Sequence, residues 1–148
     1  MLAADQAVKH ALLSGAFSGL DGKTLIPGLL DMKFTWNRGI SFSLLWQGGE
    51  RGSLLLTLGM TVLVAGLLVW LMRADRRSLA LAIGLVAGGA LGNLIDRYLY
   101  HAVFDFLVVR LGHALLFVCN IADIFISLGV VGLLLDAVWG ESQTGAAS

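Results

Sequence analysis

One long uncharged run constrains the fold of this chain more than any other feature. Residues 53–72 read SLLLTLGMTVLVAGLLVWLM and contain no charged side chain. At about 1.5 Å per residue, a helix of this length crosses a hydrocarbon core of roughly 30 Å. The rest of the chain agrees, because 14% of its 148 residues are charged, whereas soluble domains contain about a quarter. We therefore predict an integral membrane protein.

Two further apolar runs predict additional spans, at 78–95 and 114–135. Arg73, Arg76 and Arg77 lie in the short connection between the first two runs, which indicates a helical hairpin with this loop in the cytoplasm. The third run is interrupted by Asn120 and Asp123. Because Asn caps helices and an acid three residues later suits the first turn, this helix begins either at 114 or at Asn120.

The first fifty residues differ from the rest of the chain in composition, because they lack a long uncharged run. Asp5 and Lys9 lie four residues apart, so a helix over 2–17 would pair them, although this stretch is too short and polar to cross a membrane alone. Residues 18–50 contain the single proline, several glycines and short apolar runs. That composition predicts a segment with strands. With residues 73–77 in the cytoplasm, this segment falls outside.

The composition also argues against several classes of function. The formal net charge is zero and the ten basic residues are scattered, so a nucleic-acid-binding face is not expected. The three histidines lie far apart, the single cysteine has no second thiol, and no HExxH pattern occurs, so no metal site is predicted. A GxSxG elbow is missing from the sequence, which disfavours a serine hydrolase.

Three acids lie within or beside the apolar runs: Asp96, Asp105 and Asp123. Each costs at least about 2.5 kcal/mol to insert into a membrane and is therefore a functional candidate. Two carboxylates in a poorly hydrated place cannot easily both ionise, so one holds a proton while the other takes one from water. Aspartic proteolysis uses this chemistry. A proton relay in a non-enzymatic transporter subunit is the alternative.

Each acid also has a purely structural interpretation. Asp96 shares a helix face with Asn93 and lies next to Arg97, and the pair Asp96 and Arg97 could simply anchor a helix end at the interface. Asp123 could serve only as a helix cap. Asp105 lies between apolar residues on both sides, which predicts a loop that dips toward the membrane surface. Gly88 and Gly92, four residues apart, permit the close approach of another helix.

Five short motifs, in order along the chain, resemble those of the lipoprotein signal peptidases, the bacterial type II signal peptidases. Each motif is weak alone, but their order and spacing on a multi-span background are specific. Four positions depart from the family pattern: Val8, Ile40, Ser41 and Cys119. The matching residues are Asp5, Gln6 and Lys9; Asn37, Gly39, Phe42 and Ser43; Gly88, Gly89, Gly92, Asn93, Asp96 and Arg97; Val103, Asp105 and Phe106; and Asn120, Ala122 and Asp123.

The resemblance implies an all-α membrane protein, a single domain over 1–148, built as a four-helix transmembrane bundle with a small extracytoplasmic β-sheet. It implies a multi-pass enzyme of the bacterial inner membrane, with its active site toward the outer face and no metal or organic cofactor. Its substrates would be diacylglyceryl prolipoproteins, cut on the amino side of the lipidated cysteine.

The resemblance also implies roles for individual residues. Asp105 and Asp123 would be the catalytic pair. The supporting and substrate-binding residues would be Asn37, Gly39, Asn93, Asp96, Arg97, Asn120, Asp5 and Lys9. The family normally has a full apolar span ahead of its first motif, whereas four residues precede Asp5 here. Either the true start of the protein lies upstream, or the first helix is truncated and anchors Asp5 and Lys9 poorly. For a truncated helix, an inactive relative that binds lipoproteins is a further alternative.

Overall fold

The computed structural model describes residues 1–39 and 49–145. Residues 40–48 of the predicted extracytoplasmic segment, including the motif residues Phe42 and Ser43, lie outside the described residues. A short 3₁₀ turn, Ser18–Leu20, precedes the first strand. In chain order the helices and strands are α1 Leu2–Leu13, β1 Thr24–Ile26, β2 Leu30–Asn37, α2 Gly49–Met72, α3 Arg77–Tyr100, β3 Val103–Leu111, β4 Ala114–Cys119 and α4 Ile121–Gly145.

Three of these helices contain segments long and apolar enough to cross a membrane: Gly52–Met72, Arg77–Tyr100 and Ile121–Val138. Large apolar side chains on them, such as Leu55, Val62 and Leu134, are more than half exposed. Such exposure is expected where lipid replaces water as the solvent.

Two of the predicted spans need correction at their ends. The helix predicted over 78–95 continues to Tyr100, so Asp96 and Arg97 lie within it and not at its end. The run 114–135 is divided, because 114–119 forms β4 and α4 begins at Ile121. Of the two predicted starts for this helix, the one at Asn120 is therefore confirmed. The prediction of a continuous span over 114–135 was wrong because apolarity alone does not distinguish a strand from a buried helix.

The four strands form one antiparallel sheet in the order β1-β2-β3-β4. Its central pair joins distant parts of the chain, with Asn37 opposite Val103 and Leu30 opposite Val109. The sequence predicted strands within 18–50, but β3 and β4 were not predicted, and Asp105 lies on a strand and not in a loop. The described residues thus contain the predicted four helices and small sheet, but the label "all-α" understates the sheet, which has four strands.

The sheet packs against α1. The side chains of Phe104 and Phe106 on β3 contact Leu12 of α1 in a buried cluster, with Val8 and Phe34 at its edge. Because side chains alternate between the faces of a strand, Asp105 points away from this cluster. The opposite face of β3 therefore carries the acid.

Helix α3 contacts the other three helices, and glycines let two of them approach closely. A Cβ atom at Gly89 would lie 2.5 Å from the carbonyl oxygen of Ala122 on α4. Gly88 and Gly92, the pair singled out in the sequence, face α1 instead. A Cβ at Gly92 would lie 2.7 Å from Oδ2 of Asp5 and one at Gly88 would lie 3.5 Å from Cβ of Met1.

We expect Gly89→Ala to destabilise the fold by about 1–3 kcal/mol, because the added methyl group meets the backbone of α4, which cannot yield easily. Gly84→Ala is the matched control on the same helix, since its Cβ would meet nothing within 4 Å, and alanine favours the helix. Thermal unfolding in detergent measures both. Equal unfolding temperatures for the two variants would contradict the close α3–α4 contact.

Candidate active site

Polar and charged side chains are buried together where α1, α3, α4 and β3 meet. Such burial is costly unless the groups are paired with one another. The members of this group that are at most 6% exposed are Asp5, Lys9, Asn93, Asp96, Arg97, Asp105 and Asn120. Their hydrogen bonds explain how the fold tolerates them.

The start of α4 is fixed by a reciprocal cap. The backbone N–H of Asp123 donates to Oδ1 of Asn120 at 3.1 Å, and the backbone N–H of Asn120 donates to Oδ2 of Asp123 at 3.1 Å. This pair satisfies two backbone donors at the helix end, as a capping box does. The proposed capping role of Asp123 is therefore real, and the cap also orients its carboxylate.

Asp105 lies beside the same asparagine. Its Oδ1 accepts a hydrogen bond from Nδ2 of Asn120 at 2.7 Å, and its Oδ2 accepts one from Nδ2 of Asn37 at 3.1 Å. Asn120 thus contacts the carboxylates of both Asp105 and Asp123. The structure therefore brings the two acids that the family resemblance singles out to one residue.

The pKa of the Asp105 carboxyl is raised to about 6. Burial is the main cause, since it disfavours the charged form, and the negative charge of Asp123 acts in the same direction. The hydrogen bonds from Asn37 and Asn120 favour the charged form and lower the pKa in part. Asp105 therefore keeps its proton to a higher pH than an exposed aspartate does.

An ion cluster joins α1 to α3. Nζ of Lys9 lies 2.9 Å from Oδ2 of Asp5 and 2.8 Å from Oδ2 of Asp96. The other oxygen of Asp5 accepts the backbone N–H of Ala122 at 3.0 Å, at the positive end of α4. One lysine thus forms ion pairs with two buried acids, and one of these acids also accepts a hydrogen bond from the helix that carries Asp123.

Asn93 links this ion cluster to the two acids. Its Oδ1 accepts hydrogen bonds from Nζ of Lys9 at 3.2 Å and from Nδ2 of Asn120 at 3.0 Å. Its Nδ2 donates to Oδ1 of Asp123 at 2.8 Å. The same side chain therefore contacts the cation, the cap and the second acid.

Arg97 connects the site to the end of β2. Its Nη2 donates to the carbonyl oxygen of Gly39 at 3.1 Å, and the N–H of Gly39 donates to Oδ1 of Asn37 at 3.1 Å. Nε and Nη1 of Arg97 are buried and have no hydrogen-bond partner in the part of the chain that the structure describes. With Asp96 at 1% and Arg97 at 5% exposure, the interpretation of this pair as interfacial anchors is wrong.

All ten residues predicted for the site therefore belong to one connected network. The sequence placed Gln6 in the first motif but not among the site residues, yet its Nε2 donates to Oδ1 of Asp96 at 3.0 Å and to the carbonyl oxygen of Gly92 at 3.2 Å. Its position three residues before Lys9 on α1 was the available signal. Within residues 1–39 and 49–145, no group of three or more His, Cys, Asp or Glu side chains is placed to hold a metal ion.

Comparison with known proteins decides the family. The family model described as signal peptidase II matches residues 1–139. The chain belongs to the signal peptidase II family. The predicted family is thus confirmed, and as a signal peptidase with three span-capable helices the chain is a protease integral to the membrane.

Individual relatives are similar in sequence to this signal peptidase II chain over most of their length. A lipoprotein signal peptidase of Methylorubrum extorquens is 44% identical over 93% of this chain and 80% of the relative. A second one, from Methylobacterium sp., is 42% identical over 99% of this chain and 88% of the relative. A solved bacterial membrane enzyme matches with a TM-score of 0.71 and 26% identity, covering 96% of this chain and 85% of the other.

Proposed function

We propose that the chain is an intramembrane aspartic endopeptidase that removes signal peptides from diacylglyceryl-modified prolipoproteins, cutting on the amino side of the lipidated cysteine. The observation that carries this proposal is the placement of Asp105 and Asp123 on either side of Asn120, which hydrogen-bonds to both carboxylates. Membership of the signal peptidase II family supplies the type of substrate.

Two adjacent carboxyl groups provide an acid and a base. One carboxylate takes a proton from a water molecule, whose oxygen attacks the scissile carbonyl carbon. The other carboxyl gives its proton to the departing amide nitrogen, and the carbon–nitrogen bond breaks. The raised pKa of Asp105 supports these two roles. Because two negative charges side by side are unfavourable in a buried site, the pair retains one proton, and one carboxyl can act as the acid.

The network around the pair supports a positioning role for the other residues. Asn93 and Asn120 orient the carboxylates, whereas Lys9 forms ion pairs with Asp5 and Asp96. Arg97 donates a hydrogen bond to the carbonyl oxygen of Gly39 and so holds the end of β2 beside the pair. Reacting groups fixed in this way accelerate a reaction through proximity and orientation.

The location of the site favours one orientation in the bacterial inner membrane. Arg73, Arg76 and Arg77 are exposed at the start of α3, and about 25 Å of helix separates them from Asn93 at 1.5 Å per residue. Basic loops remain in the cytoplasm, so the site and the sheet would face the outer side. In this arrangement α1 completes a bundle of four helices, and the substrate's acyl chains remain in lipid.

A cleavage assay in detergent tests the proposed function. The purified chain is incubated with a diacylglyceryl prolipoprotein and, in parallel, with the same precursor lacking the lipid. We expect a product that begins with the lipidated cysteine, identified by mass spectrometry, from the first precursor alone. An uncut lipidated precursor, or equal cutting of both precursors, would overturn the proposal.

The pH dependence of cleavage gives a second test. Asn37→Ala removes a hydrogen bond that favours ionised Asp105, so Asp105 should hold its proton to higher pH. We expect the alkaline limb of kcat/KM, where the pair loses its shared proton, to move up by about one pH unit, the equivalent of a hydrogen bond to a charged group. Lys33→Ala, an exposed change on the same strand, should leave the limb in place. A downward move in Asn37→Ala would contradict this assignment.

A further inference from the structure

The end of the sheet far from Asp105 carries a cluster of exposed apolar side chains. Two loops meet there, since the N–H of Gly112 donates to the carbonyl oxygen of Gly28 at 2.9 Å and the N–H of Arg110 donates to that of Leu29 at 2.8 Å. We call this end the sheet tip. Its large apolar side chains are 43–72% exposed, and they are Leu25, Ile26, Leu29, Leu111, Leu115 and Leu116.

The sheet tip is uncharged, whereas its surroundings are not. Residues 24–30 and 111–119 contain no Asp, Glu, Lys or Arg, and His113 is their one titratable side chain besides Cys119. Charges begin where these segments end, at Lys23, Asp31 and Arg110, and the last two form an ion pair with each other. An apolar patch bounded by polar residues marks an interaction site.

The distribution of the apolar side chains indicates the kind of partner. Leu115, Leu116 and Phe117 follow one another on the edge strand β4, and each is more than half exposed. Successive side chains point to opposite faces of a strand, so both faces of this edge are apolar. A protein docking on one face would leave the other uncovered, whereas lipid covers both.

The strands that form the sheet tip are connected directly to membrane-spanning helices. Only Asn120 separates β4 from the span in α4, and only His101 and Ala102 separate α3 from β3. Six residues of β4 extend about 20 Å at 3.3 Å per residue. The apolar edge is thus continuous with a helix that enters the bilayer.

We propose that the sheet tip inserts into the lipid surface on its own side of the membrane, at the depth of the headgroups and the first acyl carbons. Amphipathic helices bury their apolar face at this depth beside their charged residues, and the apolar edge of the sheet offers lipid the same kind of surface. Insertion of the sheet tip would fix the orientation of the whole sheet relative to the membrane. It would thereby also fix the position of Asp105, which lies on β3 of the same sheet. This inference concerns the membrane contact and does not depend on the chemistry of the acids.

Spin labelling in lipid nanodiscs tests the insertion. Nitroxides are attached to Leu29→Cys and Leu116→Cys, with Val62→Cys on α2 as a lipid-exposed reference and Lys23→Cys as an aqueous one. Burial raises the pKa of the native Cys119 thiol to about 11, which leaves it protonated and poorly reactive at pH 7, and the unsubstituted chain gives the background. The relaxation of each nitroxide by oxygen, which concentrates in lipid, is then compared with its relaxation by a nickel chelate, which stays in water.

We expect both tip labels to resemble Val62→Cys, with more relaxation by oxygen than by the nickel chelate. Labels that behave like Lys23→Cys would place the sheet tip in water and overturn the proposal. Immobilised labels that neither reagent reaches would show contact with protein and would also overturn it. Cleavage activity, measured on the same samples, separates this outcome from a failure of the proposed function.

Discussion

Asp105→Asn and Asp123→Asn are each expected to lower the rate of prolipoprotein cleavage by about 10²- to 10⁴-fold, the usual effect of removing a general acid or base. The change from a carboxyl to an amide keeps the size of the side chain but removes its ability to exchange a proton. Each acid also accepts hydrogen bonds from neighbouring asparagines, and the amide oxygen retains part of them. The loss should therefore appear in kcat more than in KM.

The matched control is Asp31→Asn. Asp31 lies on β2, pairs with Arg110 and is not part of the network around Asn120. Its conversion should leave the cleavage rate close to that of the unsubstituted protein, and unfolding temperatures measured on all three variants show whether the fold is retained. Equal losses in Asp31→Asn would mean that the assay reports on stability and not on chemistry.

Lys9→Met is expected to produce the largest loss of stability, about 3–5 kcal/mol, because it breaks a buried ion cluster by removing one partner. Lys9 is 2% exposed and lies between Asp5 and Asp96. Methionine fills similar space but removes the ammonium group that contacts both carboxylates. Because Asp5 also binds the backbone of Ala122, the docking of α1 on α4 should weaken as well.

Denaturation in detergent, followed by circular dichroism, measures this effect. Lys33→Met is the control, since Lys33 is exposed on β2 and its loss should change stability by less than about 0.5 kcal/mol. The double variant Lys9→Met with Asp96→Asn should recover part of the loss, because one of the two uncompensated charges is gone. A Lys9→Met variant as stable as Lys33→Met would show that the cluster does not hold α1.

The helices were largely predictable because apolar length is a strong signal. The run 53–72 lies within α2, since a span needs little more than uncharged residues of the right number. The strands β3 and β4 were not predicted, because residues 114–119 are as apolar as a span and pair with a partner whose identity depends on the tertiary fold. The reciprocal hydrogen bonds of Asn120 and Asp123 mark the boundary that apolarity obscured.

The members of the site were predictable, but their arrangement was not. Burial cost drew attention to Asp96, Asp105 and Asp123, and the family resemblance separated the proposed pair from the supporting acid. No local pattern could predict that Asp5 reaches Ala122, 117 positions away. Gln6 was left out of the site for the same reason, since its partners Gly92 and Asp96 lie on another helix.

The central claim is that Asp105 and Asp123 act as one catalytic unit, and the double variant Asp105→Asn with Asp123→Asn tests it most directly. Residues that act as a unit are strongly non-additive, because the loss of either one already removes the shared-proton chemistry. We predict that single-turnover cleavage by the double variant is as slow as that by either single variant. Losses that multiply would show two independent contributions and contradict the account.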